Sequence, residues 1–175
     1  AACSGETGRG SEGSGRYKRE VYHRTMTRRE RLVAACRGGE VDRQPNLGWP
    51  DSPDADGQIF DFSTFRMQRG VRAAQLDSPA QLVQVSNPFG KAMENGTDLN
   101  SLLANEPEKG GEVLDALAAE TREDMMSALD SGADGVVYLL HGACEAHCSP
   151  MQYGGHYLER DRELLASVSD ASLNF

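Results

Sequence analysis

The spacing of apolar side chains predicts three helices in the first three quarters of the chain. The run TRRERLVAAC opens with Thr27 and has Glu30 three residues later, the capping-box pattern at a helix start. Apolar residues at helical spacing predict a second helix over about 89–104 and a longer one over 107–131. Gly132 follows the long helix where a left-handed residue commonly ends one.

Short apolar runs predict the strands. LVQVS (82–86) and GVVYLL (135–140) are rich in β-branched residues, and the second lacks polar alternation, which is typical of a strand covered on both faces. LNF (173–175) resembles the first half of a further strand. The segments 41–57 and 141–148 read as loops, and Ser149-Pro150 begins another helix.

Strands that alternate with helices predict an α/β fold built from βα units around a parallel sheet. The pattern leaves open whether this sheet is an open doubly wound one or a barrel. In both cases ligands bind beyond the carboxyl ends of the strands. The expected site therefore lies at 87–91 and 141–148. The glycine-rich phosphate motifs of nucleotide-binding proteins follow neither strand.

Composition narrows the class of protein. The 175 residues carry a formal net charge of −9, which argues against non-specific binding to nucleic acid and against a polybasic membrane anchor. The longest apolar runs are far shorter than a membrane-spanning helix, and four cysteines are too few for a disulfide scaffold. We therefore expect a cytoplasmic protein without a membrane partner. Residues 1–25 are rich in Gly and Ser, and we expect a disordered leader.

Four stretches resemble the uroporphyrinogen decarboxylase family, which includes corrinoid-dependent methyltransferases. They are the opening MTRRERLVAACRGGEVDRQP (26–45), SNPFGKA (86–92), GADGVVYL (132–139), and the helix that begins at Ser149-Pro150. The resemblance implies that 26–175 is the amino-terminal part of a TIM-like (β/α)₈ barrel, truncated at its carboxyl end.

The resemblance implies decarboxylation of uroporphyrinogen in porphyrin and haem biosynthesis, without a cofactor. Family decarboxylases hold the substrate carboxylates with two arginines near the start, and the closest stretch is FRMQRGVR, with Arg66 and Arg69. Asn87 and Phe89 match the family's P-F segment, and His141 follows the next strand, so all three are expected to contact a small-molecule substrate. No residue is assigned as catalytic, because the family's early aspartate has no convincing match.

A methyltransferase is the first alternative. The resemblance implies that such a relative would use zinc and a corrinoid protein, with its zinc ligands on later strands. Within this chain, the loop HGACEAHC offers a second possible zinc set, and its four candidate ligands are His141, Cys144, His147 and Cys148. Their spacing fits no structural zinc pattern, so the main expectation is that the chain binds no metal.

An inactive fragment or binding module is the second alternative. The predicted strands supply at most three of the eight in a barrel, which leaves an unpaired edge and an uncovered apolar face. We therefore expect the isolated chain to fold poorly or to associate with itself.

Overall fold

The computed structural model describes residues 25–67, 77–170 and 173–175, which contain seven helices and five strands. The expected leader, apart from Thr25, lies outside these residues. The strands are Leu47–Gly48 (β1), Gly57–Asp61 (β2), Ala80–Ser86 (β3), Gly135–Leu139 (β4) and Leu173–Asn174 (β5). The helices are Arg28–Cys36 (α1), Phe62–Met67 (α2), Pro88–Glu94 (α3), Leu99–Asn105 (α4), Pro107–Asp130 (α5), Pro150–His156 (α6) and Leu158–Ser167 (α7).

The strands form one parallel sheet in the order β1-β2-β3-β4-β5, so each strand lies beside the next one in the chain. The order contains no point at which it reverses, unlike the order of a doubly wound sheet. The prediction of an α/β protein with a parallel sheet is confirmed. None of the helices in the described residues is long and apolar enough to span a membrane.

The two faces of the sheet are covered differently. Alternate residues of β2, β3 and β4 face the long helix α5 and the later helix α7, and together they form the main core. Its buried strand residues are Phe60, Val83, Val85, Val136 and Tyr138. On the other face, Leu32 of α1 packs against Ala80, Leu82 and Leu173 near the amino ends of the strands. Helix α1 therefore covers only the amino-terminal half of this face among the described residues.

The predicted caps are present at two helix starts. Thr27 accepts from the backbone N–H of Glu30 at 3.3 Å, and the Glu30 side chain accepts from the backbone N–H of Thr27 at 3.0 Å. Ser149 and Gln152 form the same reciprocal pair at the start of α6. Gly132 follows α5 with φ of 96°, which a residue with a side chain rarely adopts.

Two predicted helices are each divided in the structure. The helix expected over 89–104 is α3 and α4, because Gly96 turns the chain with φ of 71° and Asp98 caps the new helix through the N–H of Ser101. The helix that begins at Ser149 is α6 and α7, which meet at Tyr157. Each helix is interrupted by local features of the chain, such as the Gly96 turn and the Asp98 cap. The spacing of apolar residues alone does not predict these interruptions.

Strands β1 and β2 were not predicted from the sequence. Residues 41–57 were expected to be a loop, but Leu47–Gly48 pairs with Gly57–Gln58 in parallel. Strand β2 is short and begins with a glycine after three aspartates and a proline, so its composition is that of a turn. Pairing with the longer β3 along its whole length overrides that local preference.

A buried ion cluster fastens α1 to the amino ends of the strands. The Asp56 carboxylate is 0% exposed and accepts from Arg31 at 2.5 Å, from Arg43 at 2.8 Å and from the backbone N–H of Asn46 at 2.9 Å. Burial alone would raise the pKa of Asp56, but these hydrogen bonds outweigh it and lower the pKa. Arg31 also binds Asp42 and holds the pKa of that carboxyl far below its usual range. The cluster lies at the edge opposite the expected site.

Candidate functional site

The carboxyl ends of β2, β3 and β4 lie side by side, because the three strands are parallel and in register. Strand β2 ends at Asp61, β3 at Ser86, and β4 at Leu139, two residues before His141. The backbone N–H of Asn87 donates to the Leu139 carbonyl at 3.0 Å, which ties the two turns together. The structure therefore brings together the two segments in which the sequence predicted a site.

Asn87 links these turns through its side chain. Its Oδ1 accepts from the N–H of Gly90 at 2.9 Å and so caps α3. Its Nδ2 donates to the His141 carbonyl at 3.1 Å and to the Asp161 carboxylate at 3.3 Å. Because Asn87 is fully buried, it can position neighbouring groups but does not reach the surface where a ligand would enter.

His141 is a predicted site residue that places a partly accessible polar side chain at this edge. The residue is half-buried, and its ring lies directly over Gly90, where an added Cβ would come within 2.5 Å of Cδ2. Gly142 follows with φ of 81°, and a side chain there would meet the Phe89 ring. Within the described residues the ring nitrogens of His141 make no hydrogen bond, so they are available to a ligand.

Phe89 belongs to the core beneath this edge. It is 5% exposed and its ring packs edge-on against Tyr157, with centroids 5.2 Å apart, and lies 6.4 Å from the His147 ring. The sequence expected Phe89 to contact substrate. In the structure it supports the 141–148 loop from below, because it is enclosed by these aromatic rings.

A polar cleft of about 310 Å³ opens between the carboxyl ends of β2 and β3. Its lining contains Asp61, Ser86, Lys91, Glu94 and Asp124. The Ser86 hydroxyl donates to Glu94 at 2.7 Å, and Lys91 donates to Asp124 at 2.5 Å and also to Glu120. Burial would lower the pKa of Lys91, but its two carboxylate partners outweigh burial and raise it. Among the described residues, the cleft has more carboxylates than cations.

A buried carboxylate that the sequence did not single out lies behind this site. Asp161 of α7 is 2% exposed and accepts from Tyr138 at 2.7 Å, from Tyr153 at 2.5 Å and from Asn87. Burial, followed by the hydrogen bond to Asp161, raises the pKa of both tyrosines, so both hydroxyls stay protonated. The helical spacing of Asp161 places it on the buried face of α7, because it lies four residues after Tyr157 and three before Leu164.

The loop HGACEAHC is a loop in the structure, as predicted, and its cysteines differ in exposure. Cys144 is exposed, whereas Cys148 is 4% exposed with its Sγ 4.0 Å from Asn100 Oδ1. Burial raises the pKa of the Cys148 thiol. Asn100 also donates to the His147 carbonyl at 2.9 Å and so fixes the end of the loop.

The possible zinc set gains no support from this arrangement. His141, Cys144, His147 and Cys148 are all described residues, and no group of three or more His, Cys, Asp or Glu in the described chain could hold one metal ion. His141 packs on Gly90, while the Cys148 thiol points toward Asn100.

The predicted arginines are only partly described. Arg66 lies in α2, which starts directly after Asp61, so its backbone is at the carboxyl edge of the sheet. Its side chain, and the whole of Arg69, lie outside the described part of the chain. The loop after β1 contains Asp51 and Asp54 but no arginine.

Comparison with known proteins gives no assignment: no protein-family profile, curated protein or solved structure matches this chain.

Proposed function

We propose that the chain is the amino-terminal part of a (β/α)₈ barrel enzyme of the uroporphyrinogen decarboxylase family, and that the carboxyl edge of its sheet forms part of the substrate site. The observation that carries the proposal is the order of five parallel strands, each added beside the last. This order is compatible with a barrel, in which every strand neighbours the next.

The positions of the two central resemblances support the same proposal. The segment SNPFGKA occupies the end of β3 and the start of α3, and GADGVVYL leads into and forms β4. Both then contribute to the edge where barrel enzymes bind their substrates. The packing of α1 beneath the opposite edge fits the same arrangement, since residues at that end of a barrel serve stability.

The charge of the described part of the cleft favours the methyltransferase branch. A substrate with many carboxylates needs cations, and among the described lining residues the only cation, Lys91, is already bound to Asp124 and Glu120, while Asp61 and Glu94 add negative charge nearby. A small methyl donor without carboxylates suits this cleft better. The proposed reaction is therefore transfer of a methyl group between such a molecule and a corrinoid protein. Its zinc would be held by strands that follow β5.

Decarboxylation of uroporphyrinogen is the second candidate, and two residues favour it. Asp61, at the end of β2, provides an exposed carboxylate at the carboxyl edge of the sheet, although it lies outside the four stretches that resemble the family. The backbone of Arg66, five residues later in α2, lies at the same edge, and arginine is the residue type that binds a carboxylate best.

The test is an assay of the protein expressed from the complete reading frame. One assay measures coproporphyrinogen formed from uroporphyrinogen III, and the other measures methylation of an added corrinoid by a panel of methyl donors. We expect methylation. If the protein instead decarboxylates uroporphyrinogen, Asp61→Asn should lower that rate by about 100-fold, the contribution of a positioned acid or base. The control Asp51→Asn changes an exposed carboxylate that does not line the cleft and should have no effect. Absence of both reactions, beside active controls, would refute the proposed function.

A further inference from the structure

Asp161 is a buried carboxylate whose hydrogen-bond partners are neutral. Within the described residues it forms no salt bridge, and three donors surround it: two tyrosine hydroxyls and the Asn87 amide. A buried charge of this kind requires full hydrogen bonding, because each missing donor leaves it poorly solvated. The two tyrosine hydroxyls and the Asn87 amide must therefore all point at Asp161, which holds each of these three groups in one orientation.

The carboxylate fixes the orientation of the Asn87 amide. Asn87 Oδ1 faces the N–H of Gly90, and Nδ2 faces Asp161. If the amide were reversed, its oxygen would face a carboxylate and its NH₂ group would face another N–H, so both hydrogen bonds would be lost. In the observed orientation, Nδ2 is also directed at the His141 carbonyl.

The orientation of Asn87 in turn fixes the backbone of His141. The His141 carbonyl is bound to Asn87 Nδ2, while the imidazole rests over Gly90. Since the ring nitrogens have no hydrogen bond within the described chain, these two contacts define where the ring points.

We infer that Asp161 and Asn87 form a positioning pair for His141 and hold its imidazole at the carboxyl edge of the sheet, where it can contact substrate. The part of this inference that concerns substrate rests on the proposed function. The part that concerns the position of His141 does not. Asp161 does not touch the edge itself, and it acts through Asn87.

The experiment measures how fast diethylpyrocarbonate modifies His141 in the protein from the complete reading frame, with peptide mass spectrometry as the readout. His156, exposed on α6, is the internal reference. The quantity compared is the modification rate of His141 divided by that of His156. Asp161→Asn keeps an oxygen that can accept from Asn87, so this ratio should equal that of the unchanged protein. Asp161→Leu removes every acceptor and should raise the ratio.

A double variant, Asn87→Asp with Asp161→Asn, separates positioning from folding. The exchanged pair can still form its hydrogen bond and still cap α3, but it has no donor for the His141 carbonyl. We expect the double variant to unfold cooperatively, at a melting temperature below that of Asp161→Asn because a carboxylate oxygen now faces the His141 carbonyl. We expect a His141 rate at least about fivefold higher, the population change that follows loss of one ordinary hydrogen bond.

Equal His141 rates in the double variant and in Asp161→Asn would overturn the inference, and so would a folded Asp161→Leu variant with an unchanged rate. If Asp161→Leu does not fold, the double variant still decides. The readout needs no substrate. If the proposed function is wrong, neither enzyme assay shows turnover, but the variants can still change the His141 to His156 rate ratio. If the inference is wrong, the ratio is the same in all variants, even when the enzyme is active.

Discussion

The His141 ring lies against the backbone of Gly90. Gly90 is in the first turn of α3, which follows β3, and His141 is in the loop after the neighbouring strand β4. An added Cβ on Gly90 would be 2.5 Å from Cδ2 of His141 and 3.1 Å from the Ser86 side chain. Contacts below 3.0 Å require one group to move. The absence of a side chain at position 90 therefore allows His141 to occupy its place at the carboxyl edge.

Gly90→Ala should displace His141 and destabilise the fold by about 1–3 kcal/mol, the usual cost of overpacking. The matched control is Gly111→Ala on α5, where an added Cβ meets nothing within 4 Å. This control should stabilise the protein by about 0.5–1 kcal/mol through helix propensity. Denaturant unfolding of both variants measures the difference. Equal stabilisation of both would contradict the packing of His141 on Gly90.

Asp56→Asn should cost about 3–5 kcal/mol, because it leaves two arginines around a buried group that no longer carries charge. The control Asp115→Asn alters an exposed partner of Arg160, far from α1 in the chain, and should change stability by about 0.5 kcal/mol or less. The measurement is the free energy of unfolding at neutral pH. A small effect at Asp56 would mean that the ion cluster does not fasten α1 to the sheet.

Stability should also fall in acid because of the same cluster. The pKa values of Asp42 and Asp56 are lower in the folded protein than in the unfolded chain. Their contribution is therefore complete above the unfolded value of about 4 and is lost as the pH falls below it. We expect the melting temperature to drop below about pH 4, and to drop less steeply in Asp56→Asn. If the melting temperature of Asp56→Asn falls with pH as steeply as that of the unchanged protein, Asp56 does not contribute to the loss of stability in acid.

Cys144 and Cys148 should react with iodoacetamide at different rates. Cys148 is buried and its thiol pKa is raised, so both access and thiolate population are reduced. Cys144, four residues earlier in the same loop, is exposed and serves as the reference. Peptide mass spectrometry should show Cys148 reacting at least about tenfold more slowly under native conditions and equally fast in urea. Equal native rates would show that the loop is not anchored by Asn100.

The isolated 175-residue chain should associate with itself. Among the described residues, β1 pairs only with β2 and β5 only with β4, and Leu140 after β4 is 50% exposed. Leu140→Ser should reduce the associated fraction in size-exclusion chromatography. The control Met151→Ser, which removes an exposed apolar side chain from α6, should not. A monodisperse monomer of the unchanged chain would contradict this expectation.

The elements with a strong apolar period could be predicted from the sequence, and those that depend on pairing could not. The caps at Thr27 and Ser149, the long helix α5 and the strands β3 and β4 follow from local patterns. Strand β2 forms because β3 lies beside it, which no local pattern encodes.

The candidate site was predicted in position but not in detail. The ends of β3 and β4 were expected to meet, since parallel strands share their carboxyl edge, and Asn87 and His141 do. The burial of Asn87 and Phe89 depends on packing against α7 and the 141–148 loop, which are distant in sequence. Asp161 lies at helical spacing from Tyr157 and Leu164, but the charged run ERDREL around it has the composition of a solvent-exposed helix face, so the spacing alone does not show that its side chain is buried.

The central claim is that the five strands belong to a closed barrel, and the most direct measurement is an experimental structure of the protein from the complete reading frame. The account predicts a further parallel strand hydrogen-bonded to β5, and a last strand hydrogen-bonded to the free edge of β1. An open edge at β1, or an antiparallel neighbour at β5, would contradict it.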